Sequence, residues 1–140
     1  MTHLLDTNVI SELRRPGQMA AGVRRWLEHF DLQMAYLSAV TVFELEYGAA
    51  RAELRRLPHA PLLRAWIDSQ VLPAFAGRIL PLDSDIAQRY AWLQASNPRP
   101  YADVMIAATA LVHGLTVVTR NIDDFAPHGV SILNPWNQPS

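Results

Sequence analysis

The sequence predicts an α/β protein, a three-layer α/β/α sandwich around a mostly parallel central sheet. Three observations predict it. Short apolar runs of strand length alternate with longer segments of helical periodicity. Each apolar run is followed by a polar or turn residue that opens the next helix. No repeat, low-complexity tract or linker interrupts this alternation, so the connections read as right-handed crossovers covering both faces of one sheet.

Residues 2–6 read as the first strand, ending in the carboxylate of Asp6. Asn8 to Arg14 reads as a short helix stopped by Pro16-Gly17. Ala20 to Phe30 is helical, with Val23, Trp26, Leu27 and Phe30 on one face. Gln33 to Leu37 is the second strand. Ser38 is an expected N-cap for a long helix to about Arg56, whose predicted inward stripe is Val40, Phe43, Tyr47, Ala50, Leu54 and Leu57. Pro58 and Pro61 break the chain. A helix from Leu62 to about Phe75 turns Leu63, Trp66, Ile67 and Val71 inward, with an interruption expected at Pro73. Arg78 to Leu82 is the third strand, and Asp83 caps a helix from Ser84 to Ala95. A turn-rich loop, 96–100, leads into the apolar helix Ala102 to His113, which Gly114 ends. Leu115 to Thr119 and Val130 to Leu133 are the last strands. Residues 1–140 are read as one domain, since no repeat, low-complexity tract or linker divides them.

Half of the residues are apolar, which excludes a disordered chain. No apolar run approaches the roughly 20 residues that span a membrane, and the N-terminus lacks a signal-peptide pattern. Cysteine is absent, so thiolate metal sites and a cysteine nucleophile are excluded. A reducing cytoplasm is the expected compartment. The net charge of −1 does not decide on nucleic acid as a partner. All 12 basic residues are arginine. The missing lysine argues against P-loop, receiver-type and haloacid-dehalogenase-type phosphate chemistry, while arginine suits bidentate phosphate contacts. A codon bias explains the same composition.

The chemistry-bearing residues are acids. Asp6 ends the first strand, Glu44 lies two turns into the helix after the second, and Asp103 lies in the first turn of the apolar helix. Asn121, Asp123 and Asp124 follow the strand 115–119. In a parallel sheet such positions gather on one edge. Crowded carboxylates repel, and a hard divalent cation relieves the repulsion. Each acid also has a purely structural reading. Asp6 could cap a helix, and Asp103, Asp83 and Asp85 suit a helix dipole. Glu44 shares a face with Val40 and Tyr47 and so points toward buried surface, where Arg51 or Arg120 would be its structural partner. Glu46 and Glu53 read as solvated. The five histidines show no ligand spacing, and the four tryptophans read as core.

Several segments together resemble a known family. They are 4–13 (LLDTNVISEL), 37–45 (LSAVTVFEL), 102–110 (ADVMIAATA), 119–125 (TRNIDDF) and the terminal Asn134-Pro135-Trp136. The chain is similar to PIN-domain ribonucleases of the VapC type, in the FitB-like branch, over nearly its whole length. The resemblance implies a PIN-like fold and a Mg²⁺- or Mn²⁺-dependent endoribonuclease. It implies the toxin of a type II toxin–antitoxin pair, homodimeric and held by a cognate antitoxin, with larger assemblies of the two. Carried over by position, Asp6, Glu44 and Asp103 are the catalytic, metal-binding acids. The fourth family position falls on Asn121 rather than an aspartate, with Asp124 close downstream. Thr7, Asn8, Arg14, Arg15, Thr119 and Arg120 are the expected substrate contacts. The loop before Asp103 is shorter than in many relatives. Three other readings stay open on the residues alone: a non-catalytic RNA- or protein-binding module, a metal-dependent DNA nuclease or phosphatase, and a nucleotide-binding α/β protein, the last disfavoured by the missing Gly-rich loop.

Overall fold

A computed structural model describes residues 2–137. Five strands, all parallel, form one sheet in the order β3-β2-β1-β4-β5. They are β1 (His3–Leu5), β2 (Ala35–Ser38), β3 (Ile79–Leu80), β4 (Thr116–Val118) and β5 (Ile132–Leu133). Each expected strand is present and shorter than its apolar run. The chain before β2 is a 3-10 turn, Leu32–Met34, in which Asp31 accepts the Gln33 N–H, so pairing starts only at Ala35.

The helices are α1 (Thr7–Leu13), α2 (Ala21–His29), α3 (Ala39–Leu54), α4 (Ala60–Trp66), α5 (Leu72–Ala74), α6 (Ser84–Ser96), α7 (Tyr101–His113) and α8 (Ile122–Phe125). The last is a single turn not anticipated from the sequence. Ser38 and Asp83 cap as expected, accepting the Val40 N–H at 3.1 Å and the Ile86 N–H at 3.0 Å. Gly114 ends α7 at φ +68°, a left-handed conformation that favours glycine. The interruption near Pro73 takes the form of a π-helical stretch, Ile67–Val71, between α4 and α5. Proline has no N–H for the regular ladder and its ring crowds the carbonyl four residues back, so a wider turn accommodates it.

Strand alternation divides the core between the two faces. Leu4 and Val117 face α6 and α7, packing with Ile86, Leu93, Val104 and Ile106. Leu5, Leu37 and Val118 face the other way, onto Val9, Ile10, Trp26, Leu45 and Ile67. This is the period of two that a sheet covered on both sides requires.

Two sequence expectations fail here. In α3 the buried residues are Val40, Thr41, Leu45, Ala49 and Ala52. Tyr47 is 55% exposed and Leu54 85%, and Phe43 and Leu57 are exposed as well. Small residues let α3 approach its neighbours closely, whereas Phe43 and Tyr47 stack on each other outside, ring centroids 5.9 Å apart. Among the tryptophans, Trp26 is buried but Trp92 is 71% exposed.

β1 lies at the centre, with β2 on one side and β4 on the other. The connection leaving β1 runs to β2 and the one leaving β4 runs to β5, in opposite directions, so the crevice beyond the carboxyl ends of β1 and β4 is the topological switch point where such sheets place ligands. Asp6 and Thr119 stand at those two ends, and the Asp6 N–H donates to Val118 O at 2.9 Å.

Candidate active site

Asp6 is buried and highly constrained. It caps α1 by accepting the Thr7 N–H at 2.7 Å. Its second oxygen accepts Thr119 Oγ1 at 2.7 Å and Asn8 Nδ2 at 3.2 Å. Capping and site construction are therefore one arrangement: the bonds that start α1 also fix the carboxylate. Thr119 Oγ1 in turn accepts the Asn121 N–H at 2.9 Å, which holds the chain entering α8 against the same carboxylate.

Glu44 meets Thr7 rather than an arginine. The Thr7 hydroxyl donates to Glu44 Oε1 at 2.6 Å, and Thr41 Oγ1 lies 3.1 Å from the same hydroxyl. Arg51 lies over the Tyr47 ring at 5.6 Å and Arg120 over the Trp136 ring at 5.4 Å, so the two arginines expected as partners for Glu44 are engaged elsewhere. Glu44 is half-buried rather than turned into the core. Glu46 and Glu53 are solvent-accessible, as expected, and both pair with Arg64 at the surface, at 2.9 and 3.3 Å.

Asp103, in the first turn of α7, is held well above the ordinary carboxylate range, at about 7. Burial is the main cause. The negative charge of Asp6, a hydrogen bond with Asp124, and the charges of Asp124 and Glu44 follow. Asp6 is raised too, again chiefly by burial, with Thr119 and Thr7 pulling it down and Glu44 and Asp124 pushing it up. Four carboxylates thus feel one another at this edge.

Asp6, Thr7, Asn8, Ser11, Glu12, Glu44, Asp103 and Asn121 line one open cleft of about 450 Å³. Asn121 borders the cleft, whereas Asp124 reaches Asp103 by a hydrogen bond. Arg14 and Arg15 line a neighbouring cavity. Arg120, stacked on Trp136, is not among the residues of either. Sequence reasoning missed Thr41, Ser11 and Glu12. Thr41 lies one helical turn before Glu44, the single available clue to its place beside that residue.

The donor set fits a hard divalent cation. It consists of carboxylate and amide oxygens, and its mutual repulsion is what a cation would relieve. Among the described residues, no three His, Asp or Glu side chains are gathered to hold an ion.

A PIN-domain family model matches residues 3–127. The VapC ribonuclease Y4jK of Sinorhizobium fredii is 39% identical over 138 residues, covering 95% of this chain and 96% of that one. The toxin FitB of Neisseria gonorrhoeae is 42% identical over 139 residues, covering 96% and 98%. Among solved structures, FitAcB from Neisseria gonorrhoeae superposes with a TM-score of 0.85 at 42% identity, covering 97% of this chain and 99% of that one. A toxin–antitoxin complex from Klebsiella pneumoniae superposes with a TM-score of 0.67 at 26% identity, covering 96% and 98%.

Proposed function

Because the chain belongs to the PIN-domain family, alongside VapC and FitB relatives, we propose that it is a metal-dependent endoribonuclease acting as the toxin of a type II toxin–antitoxin pair. The observation that carries this reading is the gathering of Asp6, Glu44 and Asp103 in one cleft with Asp124 bonded to Asp103, where burial and the repulsion among these acids hold Asp103 at about 7. Such a constellation serves a divalent cation and a phosphodiester far better than it serves stability.

Asp6 and Asp103 would hold Mg²⁺ or Mn²⁺, with Glu44, Asn121 and Asp124 completing or orienting the set. A cation there supplies a water of lowered pKa and neutralises charge on the phosphodiester under attack. The residues of the chain do the positioning. Thr119, Thr7 and Asn8 fix both oxygens of Asp6. Thr7 bonds both Asp6 and Glu44, so one residue orients two acids. Near neutral pH Asp103 is partly protonated and bonded to Asp124, and that proton must leave before both acids face a cation.

A relative named as a toxin and a neighbour described as a toxin–antitoxin complex support an antitoxin partner. The exposed Phe43–Tyr47 stack and Leu54 on α3 support a homodimer, since an apolar face of this kind is seldom left to solvent. Among the described residues, no helix is long and apolar enough to cross a membrane.

Parallel assays of RNA and DNA of one sequence, with Mg²⁺ or Mn²⁺ and with chelator, test the reading. The expected result is metal-dependent cleavage of RNA. Binding of RNA without cleavage would favour a non-catalytic module, and cleavage of DNA alone would move the substrate.

A further inference from the structure

Ser11 and Glu12 line the acid cleft and also line a second cavity of about 290 Å³, whose other walls are Arg14, Arg15 and Gln18. The two cavities therefore share a wall. The chain around the second is pinned from several sides. Glu12 accepts the Ala20 N–H at 2.6 Å. Arg24 donates to Pro16 O at 3.1 Å and to Met19 O at 3.4 Å. The Gln18 N–H reaches Arg15 O at 2.9 Å. The 3-10 turn Pro16–Gln18 is thus held before any ligand arrives, which lowers the ordering cost of binding.

Several other arginines are committed. Arg24 and Arg78 bind carbonyls, Arg64 binds three carboxylates, and Arg51 and Arg120 lie over aromatic rings. Among the described residues, no ion pair forms with Arg14 or Arg15, and Glu12 beside them is taken by a backbone N–H. Two uncommitted guanidinium groups on a preformed wall next to an acid cleft have an anion as their natural complement.

We propose that this cavity is a phosphate subsite of the acid cleft. Arg14 and Arg15 bind the phosphodiester adjacent to the scissile one in single-stranded RNA, and Ser11 and Gln18 face its sugar or base. The subsite rests on the nuclease reading above and adds a direction to it: the strand leaves the acids along the end of α1, not past Arg120. It gives the negatively charged substrate a purchase beside carboxylates that would otherwise repel it.

The test measures binding of a fluorescein-labelled single-stranded RNA by anisotropy across salt concentrations, with chelator present, and cleavage of the same RNA with Mn²⁺. Full-length wild type, Arg14→Gln/Arg15→Gln, Arg15→Gln and Arg89→Gln are compared, each with its melting curve. Arg15 is exposed, so its single variant covers the case in which the double variant does not fold. For the double variant, the slope of log affinity against log salt falls by about 0.7, one phosphate contact on a single strand. Its KM rises roughly tenfold while kcat holds. Arg15→Gln moves the same way by less, and Arg89→Gln, in the groove beside Trp92, stays at wild-type values. Wild-type slope and KM in both arginine variants, or an equal loss in Arg89→Gln, overturns the subsite alone. Wild type that neither binds nor cuts RNA overturns the subsite and the nuclease reading together.

Discussion

The Thr119 hydroxyl donates to Asp6 Oδ2 at 2.7 Å, joining residues 113 positions apart. This bond ties the carboxyl ends of β1 and β4 and is the principal contact that lowers the pKa of Asp6 against the burial that raises it. Thr119→Val removes it, and Asp6 titrates still higher. Charged Asp6 then costs more, so the variant loses about 1–3 kcal/mol of stability above the titration of Asp6 and less below it. Thermal unfolding across a pH series checks this: the penalty grows as pH rises.

Asp103 gives the clearest dependence on pH. Its folded pKa of about 7 lies above the value of about 3.9 for an unfolded chain. Between those values the folded state binds more protons, so stability is fully present below about pH 4 and declines as pH rises through 7. The group is only half-buried, and solvent screening reduces the effect to about 2 kcal/mol or less. Asp103→Asn flattens that decline. Urea unfolding with chelator across pH 4–8 measures both slopes.

Thr7 orients two acids at once, through its N–H to Asp6 and its hydroxyl to Glu44. Thr7→Val keeps the first bond and loses the second. Groups that orient ligands typically contribute about 10–100-fold in metal affinity or activity. Mn²⁺ titration by calorimetry shows a loss of that size in Thr7→Val, with the melting curve little changed.

Two glycines separate close packing from mere helix propensity. A Cβ on Gly22 would stand 2.6 Å from Pro135 O and 2.8 Å from Trp136 O, both backbone atoms. Gly22→Ala therefore displaces the terminal turn and costs about 1–3 kcal/mol. Gly48, inside α3, has nothing within 4 Å. Gly48→Ala stabilises by about 1 kcal/mol. Differential scanning calorimetry of both variants gives opposite shifts.

Much of this arrangement is legible in the sequence because its signals are local. Apolar runs mark the strands, Ser38 and Asp83 cap the helices they precede, and Asp6 and Asp103 sit where a parallel sheet places its chemistry. The facing of α3 is not legible. Phe43 and Tyr47 carry the larger apolar area, yet close approach through Thr41, Ala49 and Ala52 decides the inward side. The partner of Glu44 is equally hidden. Charge pairing points to arginine, but the fold brings the Thr7 hydroxyl to it across 37 residues. Arg120 shows the same limit, since its ring partner Trp136 becomes a neighbour only when the last strand is in place.

The assignment of Asp103 to a metal-dependent ribonuclease site is decided by cleavage of single-stranded RNA by purified wild type and folded Asp103→Asn, each stripped with chelator and then given Mn²⁺. Mn²⁺ restores cleavage in wild type and not in Asp103→Asn, with both proteins melting cooperatively. Equal cleavage by the two, or cleavage by wild type that persists in chelator, would contradict it.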